Sequence, residues 1–506
     1  MGRKGVHVQT RTDRALENSL SGASKMVVLI CSTMKGQAYA DAAVAKLTNT
    51  GNGTVTGVAV GEAAAKTETF TLECAVVGGA NVGKFNVTGS VSGLQAAQAT
   101  VGVAYTTSGG ELTFTVNAGG VGFIVGDLFT VDTHATLINK PTSTSSVAEF
   151  DALYGQITSG VGMLLAWIQT KSGDLARAMV ITAIKNGAPG GLFVVSAKAH
   201  GVTRGAVSNA EYLAAVNACA NLGTKVMAHE SINQTDQINL AQFCFDQGVA
   251  AGVIKHSWAF FGLGVAKTYA DHTTRSAALD NGVSRGFDLE APTPYSLVSP
   301  APLDENGNAF DATAVAHGVG YACARAGEDD PAMPLHTLEI SGFGGLEREW
   351  TDGTSSDHDL LNDNGVCTSQ SRGRRVMIHA VVSCIQNSPA QSKQYAAWHD
   401  ETGIWIDYHL RAAAINKFSA PPYNRTKNSP EVRGSMVGDW NAEMLKFEKV
   451  EWPTSRGKGI IENVAAHLAE TTCVAELTNP KAARLTYVYD RVSPLDTITI
   501  TAYVIV

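Results

Sequence analysis

The chain has 506 residues, 44% of them hydrophobic and 17% charged, which suits a well-packed globular protein of roughly three or four domains. Its charge is uneven: the first 371 residues carry 22 Lys+Arg against 33 Asp+Glu, a net −11, whereas Arg372 to Val506 carry 16 against 13, a net +3. Without a Lys/Arg run or basic–aromatic interleaving no nucleic-acid partner is expected, and without 18 consecutive uncharged apolar residues no membrane span is expected.

The first 20 residues form a polar arm with one short alternating run through Gly5, Val6, His7 and Val8. No apolar signal core accompanies it, so a cytoplasmic product is expected. A buried strand is predicted over 25–31. From 48 to 140 the chain turns to Gly, Thr, Val and Ala with few charges. Alternating runs at 54–60, 69–74, 84–88, 112–116 and 127–131, separated by Gly-Gly and Asn-Gly signals, predict an inserted antiparallel sandwich or barrel.

Between 147 and 345 the helical and strand patterns alternate. Buried strands are predicted at 178–184, 191–196 and 225–228, and helices at 209–222, 237–246, 267–279 and 311–325. That alternation predicts an α/β layer. Pro292, Pro294, Pro300 and Pro302 mark a long connector. Further on, a strand at 375–383, helices at 400–415 and 460–472, and closing strands at 484–489 and 497–506 predict an α+β C-terminal domain. The last ten residues alternate apolar and hydroxylated side chains without a charge, through Thr497, Ile498, Thr499, Ile500, Tyr503 and Val504. An uncovered apolar edge strand invites association. Another strand, in the same molecule or a neighbour, is therefore expected to receive this end.

The fold class expected is a multidomain α/β and α+β chain. Its parts are an arm (1–20), a first piece of the core (21–47), the inserted β domain (48–140), an α/β domain (141–365), an α+β domain (366–490) and a closing strand (491–506).

Motifs for chemistry are sparse. Residues 262–268 read Gly-Leu-Gly-Val-Ala-Lys-Thr, but a phosphate loop needs Gly immediately before its Lys, and Ala266 stands there, with no strong strand expected ahead of it. A Gly-rich start to a helix is the reading preferred. Asp357, His358 and Asp359 sit too close in sequence to converge on a metal without a third partner, and read as a solvated loop. His229 and Glu230 follow a predicted strand, where α/β folds place functional groups, but no GxSxG, HExxH or Cys/His signature accompanies them. His256, His379 and His409 lie in apolar surroundings and read as structural. The eight cysteines form no CxxC pair, so no metal is expected. Cys31, Cys219, Cys244 and Cys384 read as buried hydrophobes, and disulfides stay open for Cys74 and Cys367. No catalytic residue and no cofactor is expected. Arg372, Arg374 and Arg375 form the one tight basic cluster, either a solvated turn or a partner contact.

One succession of segments resembles the contractile-tail sheath proteins of bacteriophages. Asp329-Asp-Pro-Ala-Met-Pro-Leu-His-Thr-Leu-Glu-Ile-Ser-Gly342 is followed by Asp359-Leu-Leu-Asn-Asp-Asn-Gly-Val-Cys-Thr368 and by a strand from Arg375. That strand ends in Val381-Val-Ser-Cys-Ile385, which departs from the Thr-Thr-Tyr of the family. Gly5 to Val8, Asp407-Tyr408 with Arg411, Gly459 to Asn463 and the ending from Arg484 also match. The β domain is similar to Gly/Thr-rich domains attached to phage head and tail surface proteins.

The resemblance implies a structural subunit that is not an enzyme. It would stack as hexameric rings around a tail tube, meet baseplate and terminator proteins, and contract. The protein would be assembled in the host cytoplasm and reside in the virion tail. The N-terminal arm (Gly5, Val6, His7, Val8) and the closing strand would add to neighbours' sheets. With the C-terminal domain innermost, Arg372, Arg374 and Arg375 are candidate tube contacts. The alternatives weighed are a baseplate component or an α/β enzyme using His229 or Asp357 to Asp359.

Overall fold

The computed structural model describes residues 25–188, 191–249, 256–284, 295–328, 330–350, 358–384, 401–419, 422–423, 428–449, 459–475 and 483–491. The N-terminal arm residues Gly5, Val6, His7 and Val8, the closing-strand residues Thr497, Ile498, Thr499, Ile500, Tyr503 and Val504, and Asp357 lie outside them. Two compact units are present. One comprises 33–142 with 196–201, and the other comprises the remainder of the chain.

The larger unit is organised by strands that read as unbroken apolar runs. In Met26–Thr33 every residue after Met26 is buried, and all residues of Lys225–His229, Ser257–Gly262 and Tyr295–Ser299 are buried. Strands covered on both faces lose the polar alternation of a half-exposed sheet, and parallel pairing follows. Met26–Thr33 pairs parallel with Lys225–His229, then Ser257–Gly262, Tyr295–Ser299 and Val366–Arg372 follow in parallel. Leu192–Ala199 lies on the other side of Met26–Thr33. In chain order these six strands are arranged 2-1-3-4-5-6, a doubly wound order.

Helices Leu175–Lys185 and Asp311–Gly327 pack together, and Asn209–Ala218, Gln234–Val249 and Tyr269–Gly282 pack in succession. Both groups reach the Ser257–Gly262 strand. Asp311–Gly327 is buried along nearly its whole length. It lies so close to the sheet that a Cβ on Gly262 would meet Ala314 O at 2.2 Å, and one on Gly320 would meet Ile340 Cγ2 at 2.2 Å.

Several expectations are corrected here. The run 178–184 is helical, within Leu175–Lys185, because Asp174 caps the helix by accepting from Arg177 N–H and every residue from Leu175 to Ala183 is buried. A short run buried on all sides has no polar face to reveal its period. The proline-marked connector contains the buried strand Tyr295–Ser299. The boundary expected at 365/366 falls inside the main sheet, because Val366–Arg372 and its antiparallel partner Arg375–Ala380 are members of it. The change in charge there marks no change of core.

The C-terminal part centres on Glu401–Ser419 and on Pro430–Phe447, a helix that the sequence reading missed. Its signals are present: Ser429 caps it, Pro430 opens it, and Met436, Trp440 and Met444 recur every fourth residue on its buried face. They pack with Ile406, Leu410, Phe418 and Ile460. The helix expected over 460–472 is instead the strand Ile461–Glu462, one turn at Val464–His467, a 3₁₀ turn and the strand Thr472–Ala475. Asn463, at φ 55°, breaks the helical path before it starts.

The smaller unit is antiparallel. Thr54–Val60, Leu112–Asn117 and Ala104–Thr106 make a three-stranded sheet. Leu128–His134, Glu68–Val76, Lys84–Gly89 and Gly93–Leu94 form the second, edged by Tyr39–Ala40 and Val44–Ala45. Inward residues alternate along each strand and meet in a core containing Phe70, Phe85, Phe114, Phe123 and Phe129.

Candidate assembly surface

The basic cluster sits at a hairpin tip. Arg372 pairs with Arg375 across a two-residue turn whose Gly373 has φ 68°, a value that favours Gly. All three arginines are exposed, yet two meet the chain itself. Arg374 donates to Glu305 O at 3.3 Å, and Arg375 lies 3.4 Å from Glu339. An exposed pair of this kind adds roughly 0–1 kcal/mol. Glu349 accepts from Ser371 N–H at 3.2 Å. The tip is therefore a mixed surface of both signs.

A second arrangement surrounds Lys25. Lys25, the first described residue, donates to Arg325 O and Glu328 O at the end of the Asp311–Gly327 helix. Lys25 Nζ lies 5.0 Å from the Trp405 ring centroid, and the fully buried Arg325 lies 5.3 Å from it. Arg325 also pairs with buried Glu401 at 3.5 Å and donates to the backbone oxygens of Glu328, Asp330 and Met333. Trp405 in turn stacks on Trp258 of the sheet at 5.8 Å. The buried Arg325 thus joins Lys25, just ahead of Met26–Thr33, to the helix Glu401–Ser419. Losing one partner of such a pair costs about 3–5 kcal/mol. Linear sequence hides this group, because Lys25, Arg325 and Trp405 lie 80 to 380 positions apart and meet only through the fold.

The residues that could have carried catalysis are held by the chain through one atom each, Glu230 Oε1 and His229 Nδ1, while Glu230 Oε2 and His229 Nε2 are buried without a hydrogen-bond partner. Glu230 sits between the carboxyl ends of Met26–Thr33 and Lys225–His229, the switch point where doubly wound sheets receive ligands. Its carboxylate accepts from Ser32 N–H at 2.6 Å and Tyr212 Oη at 2.7 Å, with Arg204 at 3.5 Å. Burial and then Glu230 push the Tyr212 phenol well above its ordinary range. His229 accepts from Ser231 N–H, and burial lowers its pKa to about 3.

A strand does end at Gly262, contrary to expectation. However, the loop amides after it already meet carboxylates, since Val265 N–H donates to Asp311 and Ala266 N–H to Glu347. Thr268 then caps Tyr269–Gly282 reciprocally with Asp271. His358 is buried with its ring 4.3 Å from that of His379, and Asp359 is exposed. Among the described residues no group of three or more His, Cys, Asp or Glu is placed to hold a metal. All eight cysteines are free, and Cys74 and Cys367 are buried.

No protein-family model and no curated protein matches the chain. Among solved structures it is similar to the sheath tail protein of Desulfitobacterium hafniense, at 12% identity over 96% of this chain and 88% of that one, with a TM-score of 0.41. It is also similar to a chain of the anti-feeding prophage baseplate (11% identity, 72% of this chain, 88% of that one, TM-score 0.45). A chain of the anti-feeding prophage helical sheath in its contracted state gives 9% identity over 72% and 88%, with a TM-score of 0.45.

Proposed function

We propose that the chain is a structural subunit of a contractile tail sheath. Its copies stack as hexameric rings around a tail tube and collapse to a shorter, wider helix that drives the tube through an envelope. The observation that carries this reading is where the three family-like segments lie. The first contains Glu339–Ile340, which pairs with Arg375–Ala380, and that strand pairs with Val366–Arg372 of the second segment. Strands whose paired residues lie up to 38 positions apart in sequence, Glu339 with Met377, thus stand as neighbours at one edge of one sheet. The three segments are therefore one contiguous piece of the fold, as a shared structural motif requires.

Contraction requires bodies that rotate as units and links that survive the rotation. The doubly wound sheet with its helices supplies the body. The arm rooted at Lys25 and the strand over 497–506 are the proposed links, by strand addition to neighbours. Arg372, Arg374 and Arg375 are exposed and available to a partner, with the tube the one expected from the resemblance.

Electron microscopy of the purified protein tests this. Hollow helical polymers are expected, and deletion of residues 497–506 should abolish them while leaving a folded subunit. Polymers unchanged by that deletion would refute strand exchange through this end, and monodisperse monomers with both termini intact would refute the sheath.

A further inference from the structure

Gly162–Leu165 and Ile168–Lys171 pair antiparallel around a two-residue turn, Ala166–Trp167. Both turn residues have positive φ, 48° and 64°. A tight hairpin turn needs such a pair, and Asn-Gly ordinarily supplies it. Ala and Trp carry a Cβ that disfavours the left-handed region. Surrounding groups hold the turn in place. Ala166 N–H donates to Gly342 O at 3.3 Å, Trp167 N–H to Glu305 Oε2 at 2.8 Å and Leu164 N–H to Asp304 Oδ2 at 3.1 Å. Strained backbone that its surroundings over-determine clusters at functional sites.

What the turn displays is an indole. Trp167 is 85% exposed, and among the described large apolar side chains only Leu47 is more so. Glu305, which takes the Trp167 N–H through its carboxylate, also takes Arg374 through its carbonyl oxygen. The turn therefore adjoins the basic hairpin. Along that hairpin and the segments beside it stand Arg348, Arg372, Arg374 and Arg375 with Glu339, Glu347 and Glu349, all exposed, and half-buried Glu305. Glu305 and Arg374 adjoin the turn, and Arg375 and Glu339, 3.4 Å apart, stand on the basic hairpin and the strand paired with it.

We infer that Trp167 anchors a contact between copies of this chain. Exposed Trp beside Arg is the composition of interface hot spots. A partner of one charge sign would be repelled by half of these charges. Another copy, with its −11 and +3 segments, offers both signs. The assignment rests on the sheath reading for its partner and moves Arg372, Arg374 and Arg375 from the tube to a neighbouring subunit.

Two variants test it, Trp167→Ala and the double change Ala166→Asn with Trp167→Gly. The double change replaces a strained turn by a favoured one, so its thermal midpoint should equal or exceed the parent's. Self-association, followed by sedimentation velocity over a concentration series without tube protein, should weaken at least tenfold in both. Electron microscopy of the same samples reports whether the parent forms helices. Association unchanged in both variants overturns the contact, whether or not helices are seen. Non-helical parent oligomers that both variants abolish uphold the contact and overturn the sheath. A parent that stays monomeric throughout overturns both.

Discussion

Burial holds four imidazoles neutral, pushing His229 and His317 down to about 3 and His272 and His409 to about 4. His317 shows the arrangement best, with Nδ1 on Pro300 O and Nε2 on Ser369 Oγ, each at 3.0 Å. Their folded values lie below the unfolded one, near 6.5. Below that pH the unfolded chain binds protons that the folded chain refuses. The stability they contribute is therefore complete above about pH 6.5 and falls with pH toward 3–4, by at most about 1.4 kcal/mol per pH unit for each histidine. Asp174, whose carboxyl burial raises, titrates with the opposite sign. Comparing slopes with a His317→Gln variant isolates one imidazole. Between pH 6.5 and 5 the urea midpoint of the parent should drop more steeply than that of the variant, and equal slopes would refute a neutral buried His317. The structural role of His409 was legible because its neighbours in sequence are apolar. The partners of Glu230 Oε1 were not, since Ser32, Arg204 and Tyr212 reach it from other elements.

At the scale of elements, legibility followed exposure. Strands of the smaller unit alternate inward and outward residues, as in Leu112–Asn117, and their period could be read directly. Leu175–Lys185 could not be told from a strand, because burial on every side leaves no polar stripe. Pro430–Phe447 was readable from its cap and its four-residue spacing and was overlooked among scattered charges. The closeness of Asp311–Gly327 to the sheet depends on glycines whose sequence context shows nothing of it. At Gly262 an added methyl meets backbone, the carbonyl of Ala314, whereas at Gly320 it meets a side-chain methyl, Cγ2 of Ile340. Backbone cannot swing aside, so Gly262→Ala should cost about 1–3 kcal/mol, and Gly320→Ala less. Chemical denaturation of the two variants checks the order, and an equal or reversed cost would show that the helix shifts as a body.

At the scale of the whole molecule, the Gly/Thr-rich stretch expected over 48–140 overlaps the compact unit of 33–142 with 196–201, whereas the boundary expected at 365/366 falls within one sheet. A stretch poor in charge and rich in Gly and Thr has its own period and its own core, so the change in composition coincides with a change in packing. The charge change near 372 coincides with none, because the main sheet continues through it. The ends of the smaller unit meet. Gly36 O accepts from Leu137 N–H at 2.7 Å and from Thr136 Oγ1 at 3.1 Å, and beyond them Ala40 pairs with Thr133. A chain that leaves and returns at one point can be cut there without stretching what remains, and closing so short a gap costs little loop entropy. Excising 37–136 and joining the ends through two glycines should therefore leave cooperative unfolding of the larger unit, with its midpoint within a few degrees of the parent's. If the links lie in the two chain ends, helical polymers should form as before, without the insertion. An excised chain that unfolds without cooperativity would make the insertion part of the core. One that folds but no longer polymerises would make it part of the lattice.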